Sequence, residues 1–317
     1  MAELTFLGTA RLSPMLKLLS RMLTAGWCLA LICCATPLLA QASKPVPAAT
    51  PTPWPQPEST KRVQDVKFFS KTLQKEMPYR VILPKDYFAT EIRYPVLYLL
   101  HGYTGHYRSF EAHSNLTRYL DRYQLIVISI EGENSWYINS PTNPKEKWED
   151  YFLHDVIGDA QERFRINGGD ARAIAGISMG GYAAINIALK NPGLFFFAGS
   201  LSGPLDAMRN PEFDKFPGFA DIFGPAGSKA HTENDPFLLV EKAEPQHTSF
   251  IFMTCGTEDD DIDSMHKFSD LLRKRHLAYE MVEAPGEHEW TYWEFAIPQM
   301  LRSLARRMPD VMSVDLR

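Results

Sequence analysis

Glycines flank a serine in Gly176-Ile177-Ser178-Met179-Gly180-Gly181, directly after the apolar run Ala171 to Ala175 and before the small-residue stretch Gly181 to Lys190. Such glycines permit a tight strand-to-helix turn that pushes a hydroxyl clear of the backbone. The helix that follows directs free N–H groups and a positive dipole end at the same spot. Ser178 is therefore the expected nucleophile for attack on a carbonyl, and the backbone N–H of Met179 an expected donor to the oxyanion that forms. A hydroxyl is a poor nucleophile until a base takes its proton, so a histidine must share the site. There are nine histidines, and the chain order that goes with such an elbow, nucleophile then acid then histidine, confines the search to those after Ser178. His266 and His276 fall on an expected surface helix, and His231 and His247 precede the strand that should carry the acid. His288, in Pro285-Gly286-Glu287-His288-Glu289-Trp290 just past the last strand, is left as general base.

The acid belongs just past the strand ending at Cys255, where the chain reads Gly256-Thr257-Glu258-Asp259-Asp260-Asp261-Ile262-Asp263. Asp259 is the choice and Glu258 the runner-up, because spacing alone does not separate them. An oxygen-rich acidic run also suits a hard cation, but this one lacks the glycine and closing glutamate of an EF-hand, so no metal is expected and the other acids read as a solvated loop. A second oxyanion donor has to come from a loop after an earlier strand. His101-Gly102-Tyr103-Thr104-Gly105 follows Pro95 to Leu100 directly, which makes the backbone N–H of Tyr103 the expected partner of Met179. Two connections, Glu131 to Trp148 and Gly203 to Pro245, are too long for ordinary turns and are expected to wall the substrate pocket. Trp136 and Tyr137 are the candidate substrate contacts there, whereas Trp148 and the Trp290 and Trp293 pair beside His288 read as packing.

These side chains need a frame. Val63 to Ser70 and Tyr79 to Leu83 alternate as an antiparallel pair does. Near-continuous apolar runs follow at Tyr94 to Leu100, Leu125 to Ile130, Ala171 to Ala175, Phe195 to Leu201, Phe250 to Cys255 and Tyr279 to Glu283. Strands of that texture are buried on both faces, which implies a mostly parallel sheet flanked by helices with an antiparallel N-terminal edge. The helices are expected at Leu116 to Tyr123, Tyr151 to Phe164, Gly181 to Lys190, Ser264 to His276 and Trp293 to Arg307.

The 317 residues, 45% of them hydrophobic, suffice for one large core with an appendage. Lys17 and Arg21 precede an almost uncharged apolar run from Met22 to Ala40, and Ala40-Gln41-Ala42 offers small residues at a cleavage site, so residues 1–42 read as a signal peptide. The stretch 43–60, SKPVPAATPTPWPQPEST, is a proline-rich linker, and residues 61–317 are the folded domain. Three of the four cysteines lie in the leader, so Cys255 has no partner for an intramolecular disulfide and reads as a buried small hydrophobe. The leader carries three basic residues against one acidic, so its removal takes the formal charge from −5 to −7. A chain so acidic lacks the basic face that nucleic acid or anionic lipid requires, and a secreted or periplasmic location is expected.

In YPVLYLLHGYTG, RAIAGISMGGYAAINIALKNPGLF, CGTED and PGEHEW, spread from about Tyr79 to Met300, the sequence resembles the putative-esterase branch of the α/β-hydrolases. That branch includes tributyrin, feruloyl and acetyl xylan esterases, S-formylglutathione hydrolases and mycolyltransferases. The resemblance implies the α/β-hydrolase fold, a serine carboxylic-ester hydrolase working through an acyl-enzyme, and no cofactor. It implies Ser178 as nucleophile, Asp259 of GTED as acid, His288 of PGEHEW as base, and Tyr103 with Met179 as oxyanion donors. Short-chain acyl or carbohydrate-linked acetyl and feruloyl esters are the expected substrates. The rivals are an acyltransferase of mycolyltransferase type, a thioesterase like S-formylglutathione hydrolase, and an inactive carbohydrate-binding module. An exported chain weighs against the thioesterase, whose substrate needs a cytosolic glutathione pool.

Overall fold

The computed structural model describes residues 60–168 and 171–308. The chain divides into two units, Met1–Gln56 and Pro57–Arg317, and every described residue belongs to the second. The expected signal peptide and nearly all of the linker lie outside the described residues. Among those residues no helix is long and apolar enough to cross a membrane.

Eight strands form one sheet: β1 (Val63–Ser70), β2 (Lys75–Ile82), β3 (Val96–Leu100), β4 (Ile126–Ile130), β5 (Arg172–Ile177), β6 (Phe197–Leu201), β7 (Phe250–Gly256) and β8 (Tyr279–Ala284). Their spatial order is β1-β2-β4-β3-β5-β6-β7-β8. β1 pairs with β2, and β2 with β4, antiparallel. Every other neighbouring pair is parallel. All five residues of β3, β4 and β6 are buried, the pattern of strands covered on both faces.

The helices, in chain order, are α1 (Ser109–His113), α2 (Leu116–Tyr119), α3 (Trp148–Asp150), α4 (Ile157–Arg163), α5 (Met179–Lys190), α6 (Phe219–Phe223), α7 (Lys229–Glu233), α8 (Pro236–Lys242), α9 (Ile262–Lys274) and α10 (Trp290–Arg307). α10 lays Trp293, Ala296, Ile297, Met300, Leu301 and Leu304, an i, i+3, i+4, i+7 series, into one cluster with Leu97, Leu99, Ala173 and Ala175. Because side chains alternate along a strand, Tyr98 turns to the other face, where its ring meets Phe152 edge-on at 5.3 Å. α5 rests against β3, β5 and β6.

The helix expected over Tyr151 to Phe164 is interrupted: a π-helical turn, Tyr151–Val156, joins α3 to α4. The segment Gly203 to Pro245, read as irregular, holds α6, α7 and α8, each of seven residues or fewer and too short to announce itself through periodicity.

Candidate active site

Leu100, Gly176 and Ser200 stand side by side on β3, β5 and β6, so the chain leaves three neighbouring parallel strands at one rim. Ser178 takes φ 54° and ψ −120°, a left-handed backbone that a side-chain-bearing residue adopts only when its surroundings enforce it. The enforcement is visible on both sides. The Ser178 N–H donates to the Leu201 carbonyl at 2.8 Å, and its own carbonyl accepts the Tyr182 N–H at 2.9 Å. Gly180 comes so close to β3 that a Cβ there would lie 2.1 Å from the Leu100 carbonyl oxygen, so only glycine lets α5 begin at this point.

β7 ends at Gly256, and its extension turns Asp259 inward until only 2% of its surface is exposed. The loop after β8 crosses it closely. A Cβ on Gly256 would fall 2.0 Å from the Gly286 carbonyl oxygen, and the Glu258 N–H donates to that same oxygen at 3.1 Å. This contact brings in His288. Its Nδ1 lies 3.0 Å from Asp259 Oδ2 and 3.2 Å from Oδ1, and its Nε2 lies 2.9 Å from Ser178 Oγ. The three expected side chains, 110 residues apart at their extremes, thus meet. Trp293 meets the imidazole edge-on at 5.1 Å and donates its indole N–H to Ser202 Oγ at 3.1 Å.

Desolvation by itself would favour the neutral forms of this pair, yet the hydrogen bond and opposite charge overcome it on both sides. Burial would raise Asp259, but the bond to His288 holds it below the usual carboxylate range. Burial would lower His288, but Asp259, with further help from Asp261 and Asp260, raises it above the ordinary histidine value. Glu258, the runner-up for the acid, does different work: its exposed carboxylate accepts the Gly286 N–H at 2.5 Å and ties down the histidine loop. Asp261 departs from the solvated-loop expectation. It lies 3.6 Å from His288 Nδ1, and burial pushes it up to about 7.

Asp259, Asp261 and His288 place one ligand-type atom each within 4.8 Å of the others. A cation bound there would compete for the Nδ1 already engaged by Asp259, so the donor set fits a hydrogen-bond chain better than a metal centre. Two of the other histidines beyond Ser178 are engaged elsewhere: His266 pairs with Glu283, and His247 with Glu244. Cys255 is buried and free, and burial pushes its thiol far above the ordinary range, which leaves it inert.

On the other side of Ser178, a Cβ on Gly102 would sit 3.3 Å from Ser178 Cβ, so the His101-to-Gly105 loop leans on the elbow. Among the described residues no internal acceptor takes the backbone N–H of Tyr103 or of Met179. The expectation for Trp136 and Tyr137 is corrected here. Trp136 is only 2% exposed, enclosed edge-on by Tyr182, Phe213, Phe219 and Phe223 at 5.3 to 5.8 Å, and Tyr137 is wholly buried. An indole walled in by four rings has no free face for a substrate. The rings that α6 and its neighbours contribute were the unread partners.

Residues 70–304 match the family model described as Putative esterase. The chain belongs to that family. The Acetyl esterase of Caldicellulosiruptor saccharolyticus is 26% identical over 249 residues, covering 73% of this chain and 93% of the relative. Ag85B of Mycobacterium leprae, a diacylglycerol acyltransferase/mycolyltransferase, is 26% identical over 238 residues, 63% of this chain and 72% of the relative. Among solved structures, FphF, a fluorophosphonate-binding serine hydrolase of Staphylococcus aureus, is similar with a TM-score of 0.69 at 27% identity, covering 76% of this chain and 97% of that one. The fold is that of the α/β-hydrolases, and the chain is a serine esterase.

Proposed function

We propose that Ser178, His288 and Asp259 form the catalytic triad of a carboxylic-ester hydrolase acting on short-chain acyl or carbohydrate-linked acetyl and feruloyl esters. The observation that carries the reading is the position of one imidazole, with Nε2 at 2.9 Å from Ser178 Oγ and Nδ1 at 3.0 Å from a buried carboxylate. Ser178 Oγ attacks the ester carbonyl while His288 Nε2 takes its proton; Asp259 holds the ring with Nδ1 protonated and balances the imidazolium. The backbone N–H groups of Tyr103 and Met179 receive the oxyanion, each donor contributing roughly 3–4 kcal/mol to lowering the barrier. His288 returns the proton to the departing alkoxide, leaving an acyl group on Ser178. Water, deprotonated in turn by His288, then releases the acid and restores the serine.

The acetyl esterase relative favours a small acyl group, and the transferase relative keeps a second acceptor in view. Both readings share the acyl-enzyme and differ in what removes the acyl group. Incubation with p-nitrophenyl acetate, butyrate and ferulate, each with and without a sugar alcohol acceptor, separates them. Free acid in both conditions, lost in Ser178→Ala, is expected; a new ester formed in preference to free acid overturns hydrolysis. Export rests on the leader, and N-terminal sequencing of the exported protein is expected to begin near Ser43.

A further inference from the structure

β3 and β4 are parallel neighbours in register, Leu100 beside Ile130, so the next residues of each strand, His101 and Glu131, emerge together at the rim that carries Ser178. His101 is buried and Glu131 half-buried, and neither has a part in the proton transfers above. The geometry points to His101 and Glu131 as positioning residues: anchored through the segment Glu131 to Tyr137, they orient the Gly102–Tyr103 peptide so that its N–H faces the developing oxyanion. This inference rests on the proposed triad and on Tyr103 as a donor.

The argument turns on one carbonyl. Gly102 O is held by two donors, His101 Nδ1 at 2.8 Å and the Gly105 N–H at 2.9 Å. A carbonyl oxygen only accepts, so Nδ1 carries the proton. In a trans peptide the C=O and the following N–H point in opposite directions, so fixing the Gly102 oxygen turns the Tyr103 N–H away from that turn. Gly102 itself leans on the elbow, its Cβ position 3.3 Å from Ser178 Cβ. The space around the carbonyl is already full, since a Cβ on Gly105 would lie 2.9 Å from Gly102 O and 3.2 Å from His101 Nδ1.

His101 is in turn fixed from β4. Its Nε2 accepts the Gly132 N–H at 3.0 Å, an N–H that Glu131 Oε1 also accepts at 3.1 Å, and its backbone N–H donates to the Tyr137 hydroxyl at 2.9 Å. Glu131 Oε2 accepts the Tyr107 N–H at 3.2 Å, and Asn134 Oδ1 accepts the N–H of Thr104, the residue after the oxyanion donor, at 2.7 Å. Thr104, Glu133, Trp136 and Tyr137 all have φ between 46° and 63°, so the clamp holds strained backbone on both loops. Burial would raise the Glu131 carboxyl, yet neighbouring His101 and the backbone N–H groups of Glu133 and Tyr107 that it accepts hold it below the usual range. A half-buried carboxylate with that many donors spent on one short loop fits a part whose position must not drift.

The test compares His101→Leu, His101→Asn, Glu131→Gln and Ser178→Ala for turnover of p-nitrophenyl acetate, binding of phenylboronic acid as a tetrahedral analogue, and thermal midpoint. Leucine removes the donor, whereas asparagine can present an N–H close to where Nδ1 stood. His101→Leu is expected to lower kcat roughly 10- to 100-fold with KM within about threefold, to weaken boronate binding by a similar factor, and to be largely rescued by His101→Asn. A folded His101→Leu with kcat within twofold of the parent, or with loss in KM alone, overturns the clamp while leaving the triad standing. If that variant does not fold, Glu131→Gln carries the test: a fall in kcat and boronate affinity supports the clamp, and parent values overturn it. Unchanged turnover in Ser178→Ala would instead remove the reading of the site on which the clamp depends.

Discussion

The loop that carries Tyr103 and the loop that carries His288 reach the same serine from opposite directions along the sheet, and they are held in contrasting ways. The first is locked from beneath. His101 and Tyr137 are buried, and side chains of Glu131, Asn134 and Tyr137 grip the loop through its backbone and through His101. The second is a surface loop, with Pro285, Glu287 and Glu289 exposed. It is tied at Gly286 by Glu258, crossed over Gly256, and joined to the interior by Asp259. The difference matches the work proposed for each half. A donor that stabilises charge acts by being in place before the charge forms, so motion there costs rate. An imidazole that takes a proton from Oγ and gives it to the leaving oxygen has to serve two atoms in turn, so a few strong anchors suit it better than a rigid mould.

The largest expected effect falls on the lightly held half. Asp259→Asn should leave the fold intact but lower kcat by about 10⁴-fold, because the ring loses the partner that sets its tautomer. Removing that negative charge also removes the main cause raising His288, so the acid limb of the residual kcat/KM profile should move to lower pH. A loss smaller than tenfold would mean that Asp261 takes over the role. In the rigid half, Trp136→Ala should cost about 3–5 kcal/mol in urea unfolding, the usual scale for emptying a buried aromatic site. Turnover per folded molecule should change far less. A large rise in KM at unchanged stability would return Trp136 to the substrate wall and break the contrast between the halves.

The smallest effect belongs to Asp261→Asn. A base must be neutral to accept a proton, and a raised histidine loses its proton later as pH rises, so the parent acid limb lies above the ordinary histidine value of 6.5. Taking away the Asp261 carboxylate, a lesser contributor than Asp259, should move that limb to lower pH, and by less than Asp259→Asn does. A shift upward would contradict the charges assigned around Nδ1.

How much of this could be read from residues alone differs between the two halves for the same reason. The elbow, the histidine loop and the acid are local patterns: glycines around Ser178, a loop after each strand, an acidic run after β7. The clamp is not local. His101 and Glu131 come together only because β3 and β4 are parallel neighbours ending at one level, and strand order is not written in any window of sequence. A signal did exist, since His101 and Glu131 each follow directly on a buried apolar run. The aromatic loop failed as a substrate wall for a related reason. Phe213, Phe219 and Phe223, which enclose Trp136, come from a segment whose short helices show no period. The central strands were legible because full burial leaves an uninterrupted apolar run, although Tyr94 and Pro95 precede β3 and Phe195 and Phe196 precede β6 rather than opening them.

Trapping of the acyl-enzyme tests the central claim most directly. The purified protein would be quenched in acid during turnover of p-nitrophenyl butyrate, or treated with a fluorophosphonate, then digested and mapped by mass spectrometry. A single adduct on Ser178, absent when His288 is replaced by alanine, is the expected result. An adduct on another residue, or full ester turnover by protein whose Ser178 stays unmodified, would contradict the account.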